Sequence, residues 1–173
     1  MLLSIVMIVK NEEKILEKTL KSLTTLRNSI ESELIIVDTG STDDTINISR
    51  KYTENVYFHN WNNDFSSMRN ISISYAKGEW LLILDADEIL IDSSTIVKFF
   101  KDGLDKKFNS ASIQLKNLYS YDKKLYGYCS VLRLFKNVDF RYHGKVHEQP
   151  IYKNPIFNNV ADFEHYGYLF EDE

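Results

Sequence analysis

The stretch from Glu79 to Glu88 reads EWLLILDADE and limits the possible folds more than any other part of the chain. Trp80 to Leu84 is an unbroken run of five apolar residues, which reads as a strand covered on both faces, the kind found inside a parallel sheet. The run ends in Asp85 and Asp87. In an extended chain, residues at i and i+2 point to the same side. Two carboxylates held there repel each other and lose hydration unless a cation or a set of donors compensates. A divalent metal carrying a diphosphate is one such compensation, since hard oxygen ligands suit Mg2+ or Mn2+, which keep positions open for phosphate oxygens. Taken alone, the tripeptide reads more readily as a solvated acidic turn. The rest of the chain has to decide between the two.

Length and charge narrow the field. With 173 residues the chain fits a single domain, residues 1–173, with a sizeable core. A net charge of −4 gives no electrostatic reason to expect a nucleic-acid partner. A lone cysteine, Cys129, excludes an intramolecular disulfide and a cysteine-built zinc site. The run from Leu2 to Val9 lacks a basic leader and a small-residue cleavage site, and is too short to span a bilayer. A cytoplasmic protein is expected, free or peripheral to the inner face of the membrane.

The first half alternates strand and helix. Ser4–Val9 is a predicted buried strand, after which Asn11 is expected to cap a helix with Glu12 and Glu13 in its first turn. Ile15, Leu16, Leu20, Leu23 and Leu26 share one face of that helix. Leu34–Val37 is a second strand, and Ser41 with Asp44 has the form of a capping box for the next helix. A strand near Val56–Phe58 and a polar loop around Trp61 follow. From Asp64 onward Phe65, Met68, Ser72 and Tyr75 keep helical spacing, with Gly78 placed as a left-handed helix cap. Strand–helix pairs of this length are βαβ crossovers, so the sheet is expected to be mainly parallel with helices on both faces. Such sheets bind ligands beyond the carboxyl ends of their strands, where Lys10–Asn11, Asp38 and Asp85–Asp87 fall together.

The second half reads differently. Ser93 is placed to cap a short helix through Phe100, with Gly103 past its end. Ala111–Leu115 and Cys129–Phe135 read as strands joined by a tyrosine-rich loop, 119–128. Three of the four histidines lie in two polar stretches, 140–150 and 163–168. The tyrosines could form a stacking wall for a sugar or peptide, although strand aromatics are more often core or cross-strand pairs. The six glycines are scattered, forming neither a dinucleotide fingerprint nor a phosphate loop, and no serine sits in a nucleophile elbow. Phosphate handling must then come from a metal and isolated side chains.

Four ordered segments, SIVMIVKNEE (4–13), IVDTGSTD (36–43), DFSSMRN (64–70) and LDADE (84–88), resemble family 2 glycosyltransferases of the GT-A fold. VHEQ (146–149) is similar to a motif of the bacterial branch that includes peptide-modifying enzymes. The resemblance implies an α/β fold: a Rossmann-like, mainly parallel sheet with helices on both faces and a small C-terminal mixed β region on the acceptor side. Residues 1–90 would be the nucleotide-binding half and 91–173 the acceptor half, the chain being shorter than catalytic domains of the family commonly are. It further implies transfer of a sugar from a nucleotide diphosphate donor, usually UDP-linked, with inversion, to a saccharide, lipid-linked or peptide acceptor.

Residue roles follow from the same resemblance. Asp38 would accept from the uracil imide N–H, and Arg69 would touch the base or diphosphate unless it merely pairs with Asp64 or Glu79. Asp85 would hold the ribose or a metal-bound water, and Asp87 would bind Mn2+ or Mg2+. Lys10 and Asn11 would line the rim. Glu148 and His147 are both candidate general bases, the carboxylate preferred. His147 is alternatively a metal ligand, with His165 competing, and Glu88 an outer or acceptor-side carboxylate. Two rivals stand beside this reading. One is a nucleotide-sugar-binding module without full activity. The other is a nucleotidyltransferase, which needs a glycine-rich phosphate loop that Met7–Glu13 lacks.

Overall fold

The computed structural model of the protein describes residues 1–170. Eleven strands and five α-helices occur among them, in the order β1 (Leu3–Val9), α1 (Leu16–Ser22), α2 (Thr24–Ser29), β2 (Ser32–Asp38), α3 (Thr45–Arg50), β3 (Val56–Phe58), α4 (Phe65–Ser74), β4 (Trp80–Ile83), β5 (Glu88–Asp92), α5 (Ser94–Lys101), β6 (Ser110–Leu118), β7 (Tyr126–Lys136), β8 (Arg141–His143), β9 (Gln149–Ile151), β10 (Ile156–Phe157) and β11 (Asp162–His165). Nine strands form one sheet, with β3-β2-β1-β4-β7-β6-β11-β5 as its path and β10 beside β6. β3, β2, β1 and β4 are mutually parallel, as the crossover lengths predict. β7 then enters antiparallel beside β4.

Both faces are covered, which explains the unalternating apolar strands. Leu3, Ile5, Met7, Trp80, Leu82 and Leu84 pack under α1, α2, α3 and α5. Val6, Ile35, Leu81 and Ile83 point the opposite way, toward Ile73 of α4 and toward Phe135, Phe140 and Tyr142. Trp80 is 1% exposed and meets Phe99 and Phe100 edge-on, at 5.4 and 5.9 Å between ring centroids. Among the described residues no helix is long and apolar enough to cross a membrane.

Several local expectations give way. Asn11 caps no helix: its φ is +52°, its amide donates to Ser41 Oγ at 2.9 Å, and its Oδ1 accepts from the Thr42 amide at 2.8 Å. The one helix expected over residues 15–26 is broken at Leu23 into α1 and α2, yet all five apolar residues are buried. Ser41 does not cap α3. Asp43 does the bonding, accepting from the amide and the hydroxyl of Thr45 and from the Glu13 amide. Ser93 makes no side-chain cap either; Asp92 accepts from the Ser94 amide instead. Gly78 is not left-handed, and its requirement is steric: a Cβ there would lie 2.5 Å from the Ser4 amide nitrogen. Asp64 does cap α4, accepting from the Ser67 amide at 3.0 Å, and Gly103, past the end of α5 as expected, is left-handed.

Candidate active site

A cavity of about 430 Å³ opens beyond the carboxyl ends of β1, β2 and β4. Lys10, Thr39, Arg69, Asp85, Asp87, Glu148 and His165 all line it, together with Glu12, Trp61 and Phe65. A second cavity of about 460 Å³ lies against the first, with Arg69, Asp85 and Glu148 common to both walls and Arg133, Tyr142 and Tyr152 on its far side.

The shared wall is an ion-pair chain. Arg69 on α4 is 6% exposed, and its Nη2 donates to Asp85 Oδ1 at 2.5 Å. Its Nε lies 3.6 Å from Glu148 Oε1, while its Nη1 is buried without a partner. It pairs with neither Asp64 nor Glu79. Arg133, on β7, reaches Glu88 Oε1 at 2.7 Å and Asp85 Oδ2 at 3.5 Å. Glu88, 1% exposed, also accepts from the Asp85 amide at 3.0 Å, so it braces the acidic turn from beneath. Burial alone would raise the Asp85 carboxyl, but Arg69 and then Arg133 hold it far below the usual carboxylate range.

Asp87 has a different partner. β11 runs antiparallel to β5 and parallel to β6, a register that sets His165 opposite Glu88 and beside Asn117. The Nδ1 of His165 is 2.9 Å from Asn117 Oδ1, which fixes that nitrogen as the donor and turns Nε2 toward Asp87 Oδ2, 3.4 Å away. Burial would lower the imidazole, but the bond to Asp87 and the charges of Asp87, Glu88 and Asp85 raise it above its ordinary value. Asp87 Oδ1 is buried with no partner. Gly167 leaves the space in front of the pair open, since a Cβ there would sit 2.6 Å from His165 Nε2 and 2.7 Å from Asp87 Oδ2.

Charge is unbalanced across the site. Two guanidinium groups, Arg69 and Arg133, and the Lys10 ammonium face five carboxyl groups, Glu12, Asp85, Asp87, Glu88 and Glu148, of which burial pushes Glu88 up to about 7. Glu12 is pushed up to about 7 by its burial and then by the charges of Asp87, Asp85 and Asp43. An orphaned carboxylate oxygen, a correctly turned imidazole nitrogen and excess negative charge together suit an oxygen-loving divalent cation. Among the described residues no three His, Cys, Asp or Glu side chains come together to hold a metal. Such a cation would therefore take most of its ligands from elsewhere, as Mg2+ and Mn2+ do with phosphate oxygens.

Other expected residues sit further off. Asp38 is 1% exposed beneath the Gly40–Ser41 turn, where its Oδ2 accepts from both amides and its Oδ1 has no partner. Its neighbour Thr39, not Asp38 itself, lines the cavity. Asn11 is held in the outer loop by Ser41 and Thr42. His147 is exposed, left-handed at φ +58° and absent from both cavity walls, whereas its neighbour Glu148 lines both. Trp61 and Arg133 carry no motif signal and join the site only through the fold, while Glu12, inside the 4–13 segment, reads from sequence only as a first-turn helix acid. Arg133 had one available clue, a charged residue inside an otherwise apolar strand.

A curled, mostly parallel sheet flanked by helices, with carboxylates at its strand ends, is the GT-A architecture, and solved structures agree. TarS of S. aureus superposes with a TM-score of 0.58 at 24% identity, over 69% of this chain and 22% of that one. A shorter form of TarS has been solved in complex with UDP-GlcNAc. The mannosyltransferase PcManGT from Pyrobaculum calidifontis, solved with GDP-Man and Mn2+, superposes with a TM-score of 0.57 at 17% identity, over 78% of this chain and 44% of that one. The chain belongs to glycosyl transferase family 2, whose model matches residues 4–141. It is 34% identical over 169 residues to the SPbeta prophage-derived glycosyltransferase SunS of Bacillus subtilis, a match spanning 93% of this chain and 38% of SunS.

Proposed function

We propose that this chain forms the donor-binding and catalytic part of an inverting glycosyltransferase that uses a UDP-linked sugar and Mn2+ or Mg2+. One observation carries the reading: Arg69 ties Glu148 to Asp85 on the wall between two cavities. On one side lie the strand ends, Asp87 and His165; on the other lies room for an acceptor. Residues 1–90 supply most of the donor side, and 91–173 the acceptor side together with Glu148 and His165. UDP-GlcNAc and GDP-Man complexes of the structural neighbours support a nucleotide diphosphate donor.

Asp38 Oδ1, an unpaired buried acceptor, suits a nucleobase imide N–H. Asp87 and His165 would hold the cation, which when bound offsets negative charge on the leaving diphosphate. Asp85, kept ionised by two guanidinium groups, would accept from ribose hydroxyls or orient water. Glu148 serves as the base. The acceptor nucleophile forms a bond to the anomeric carbon as its proton passes to Glu148. The anomeric C–O bond breaks in line, and its electron pair leaves on the diphosphate. Arg69, its Nε 3.6 Å from Oε1, holds the carboxylate at the wall. The acceptor is a saccharide, lipid-linked or peptide nucleophile entering by the second cavity.

Calorimetric titration of UDP with Mn2+, and again after chelation, tests donor binding; no metal-dependent binding at millimolar UDP defeats the reading. UDP release from a UDP-sugar panel then separates enzyme from binding module. Glu148→Gln should abolish release while keeping UDP affinity. A wild-type protein that binds UDP yet releases none is the binding module instead.

A further inference from the structure

The cavity at the strand ends has an uneven lining. Apart from the His165 imidazole, its aromatic side chains among the described residues are Trp61 and Phe65. β1 delivers Ile8, Val9 and Lys10 to the same wall, none of them with a flat face to lay against a planar ligand. Apart from that imidazole, an aromatic platform for a ring in this cavity must therefore come from the Trp61–Phe65 pair.

Trp61 sits toward one end of the cavity. The β3 ladder continues past Phe58 to His59, whose amide donates to the Asp38 carbonyl at 3.0 Å. Trp61 is two residues on, so it is anchored within about 7 Å of chain from the end of β2. That end carries Asp38 and Thr39. The opposite end, with Asp87 and His165, is reached from β5, β6 and β11. Trp61 is also held in place. Its indole N–H donates to Asn63 Oδ1 at 3.1 Å, and its ring meets Phe65 edge-on at 4.6 Å between centroids, an arrangement that braces the indole. Phe65 stands in the first turn of α4, which Asp64 caps.

We infer that Trp61 is the stacking platform for the nucleobase of the donor, working with the buried Asp38 acceptor at the end of β2. The inference rests on the nucleotide-sugar reading above and extends it to a residue outside the family-like motifs. A π-face accepts any base, whereas an unpaired carboxylate oxygen selects a base with an N–H donor, so affinity and selectivity would be divided between the two residues.

The protein carries its own probe. It has two tryptophans, and Trp80 is 1% exposed in the core, so a ligand at the strand ends should alter only Trp61 emission. UDP titrated in Mg2+ should change the emission of the wild type, and Trp61→Phe should remove that change while calorimetry still detects binding. Trp61→Ala should weaken UDP and UDP-GlcNAc by the same factor, about tenfold or more, and leave inorganic diphosphate with Mg2+ unaffected. Equal UDP affinity in wild type and Trp61→Ala overturns the inference. Weakening of UDP-GlcNAc alone also overturns it, because the platform then belongs to the sugar. A wild type that binds neither UDP nor GDP by calorimetry is a different result: it removes the nucleotide reading, and the inference with it. Unchanged circular dichroism and thermal midpoint in both variants exclude unfolding as the cause.

Discussion

The carboxamide of Asn70 closes both backbone polar groups of Tyr142: its Nδ2 donates to the Tyr142 carbonyl at 3.0 Å, and its Oδ1 accepts from the Tyr142 amide at 2.8 Å. Asn70 thereby acts as a strand partner made from a side chain. One residue earlier on α4 stands Arg69, and six residues after Tyr142 comes Glu148. Ser66 Oγ donates to the Gly144 carbonyl and the Phe65 amide to the Lys145 carbonyl, so the helix holds the whole loop leading to Glu148. The two charged partners on the cavity wall thus share one mount.

Removing that clamp should separate turnover from binding. In Asn70→Ala the Tyr142 amide and carbonyl lose their partners, at a stability cost of about 1–3 kcal/mol that leaves the chain folded. The loop then loses its register on α4 and Glu148 loses its aim. UDP release from a UDP-sugar should fall roughly 10- to 100-fold, with UDP affinity by calorimetry within a factor of about two. Equal losses in both measurements would mean that Asn70 supports the donor site itself.

Gly167 offers a test of the Asp87–His165 pair that needs no activity. A Cβ at this position would fall within 2.7 Å of Asp87 Oδ2 and nearer still to His165 Nε2. Both side chains must then shift, and the space in front of them closes. Gly167→Ala should weaken Mn2+ binding in the presence of UDP by about tenfold or more, read by electron paramagnetic resonance of free Mn2+. Its thermal midpoint should stay near that of the wild type, since the neighbouring atoms belong to side chains at a cavity rim.

Asp43 gives a pH signature. Slight burial would raise its carboxyl, but bonds from the Thr45 hydroxyl and amide and from the Glu13 amide hold it below the usual value. A group with a lowered folded-state pKa stabilises the fold above its unfolded pKa and loses that contribution as pH falls through the folded one. Asp43→Asn should therefore be less stable than the wild type by about 1 kcal/mol at pH 7, the size of a helix-cap interaction. The difference should shrink as pH falls below the ordinary carboxylate range and vanish only once the folded-state carboxyl, held below its usual value, is itself protonated. Urea unfolding across that range decides it; a constant difference would place the effect in shape rather than charge.

What could be read from the sequence was whatever depends on local periodicity or chain order. The five apolar residues before Asp85 specified a strand covered on both faces, and Asp64 followed by helical spacing specified the start of α4. Caps failed where two loops meet, because Asn11 and Ser41 find their partners about thirty residues away rather than in the adjacent helix, and Asp43 bonds Thr45 of α3 in place of Ser41. Gly78 was legible as a special glycine but not for its reason, which is contact with Ser4 on another strand. The choice between His147 and His165 beside Asp87 was open for the same cause. Only the pairing of β11 with β5 and β6, over seventy residues from Asp87, brings His165 into place. Arg133 offered only its charge within an apolar stretch, because its role requires β7 to lie next to β4.

That insertion of β7 makes Arg133 the buried counter-charge of Glu88, and the pair can be tested as a unit. Arg133→Met removes the guanidinium 2.7 Å from a carboxyl that is 1% exposed. Burial pushes the Glu88 carboxyl up to about 7 even beside Arg133, so in the single variant it takes up a proton at neutral pH. The cost of an uncompensated buried charge, about 3–5 kcal/mol, is expected at about pH 9. Glu88 cannot simply be made apolar, because its Oε2 accepts from the Asp85 amide. Glutamine keeps that acceptor and drops the charge. The double variant Arg133→Met with Glu88→Gln should recover more than half of the loss in urea unfolding, since neutral replacement of a buried ion pair is often tolerated. Arg69 still holds Asp85 in the double variant, so UDP binding should survive with it. A double variant no more stable than Arg133→Met would show that the guanidinium stem acts by packing between β4 and β6, with its charge incidental.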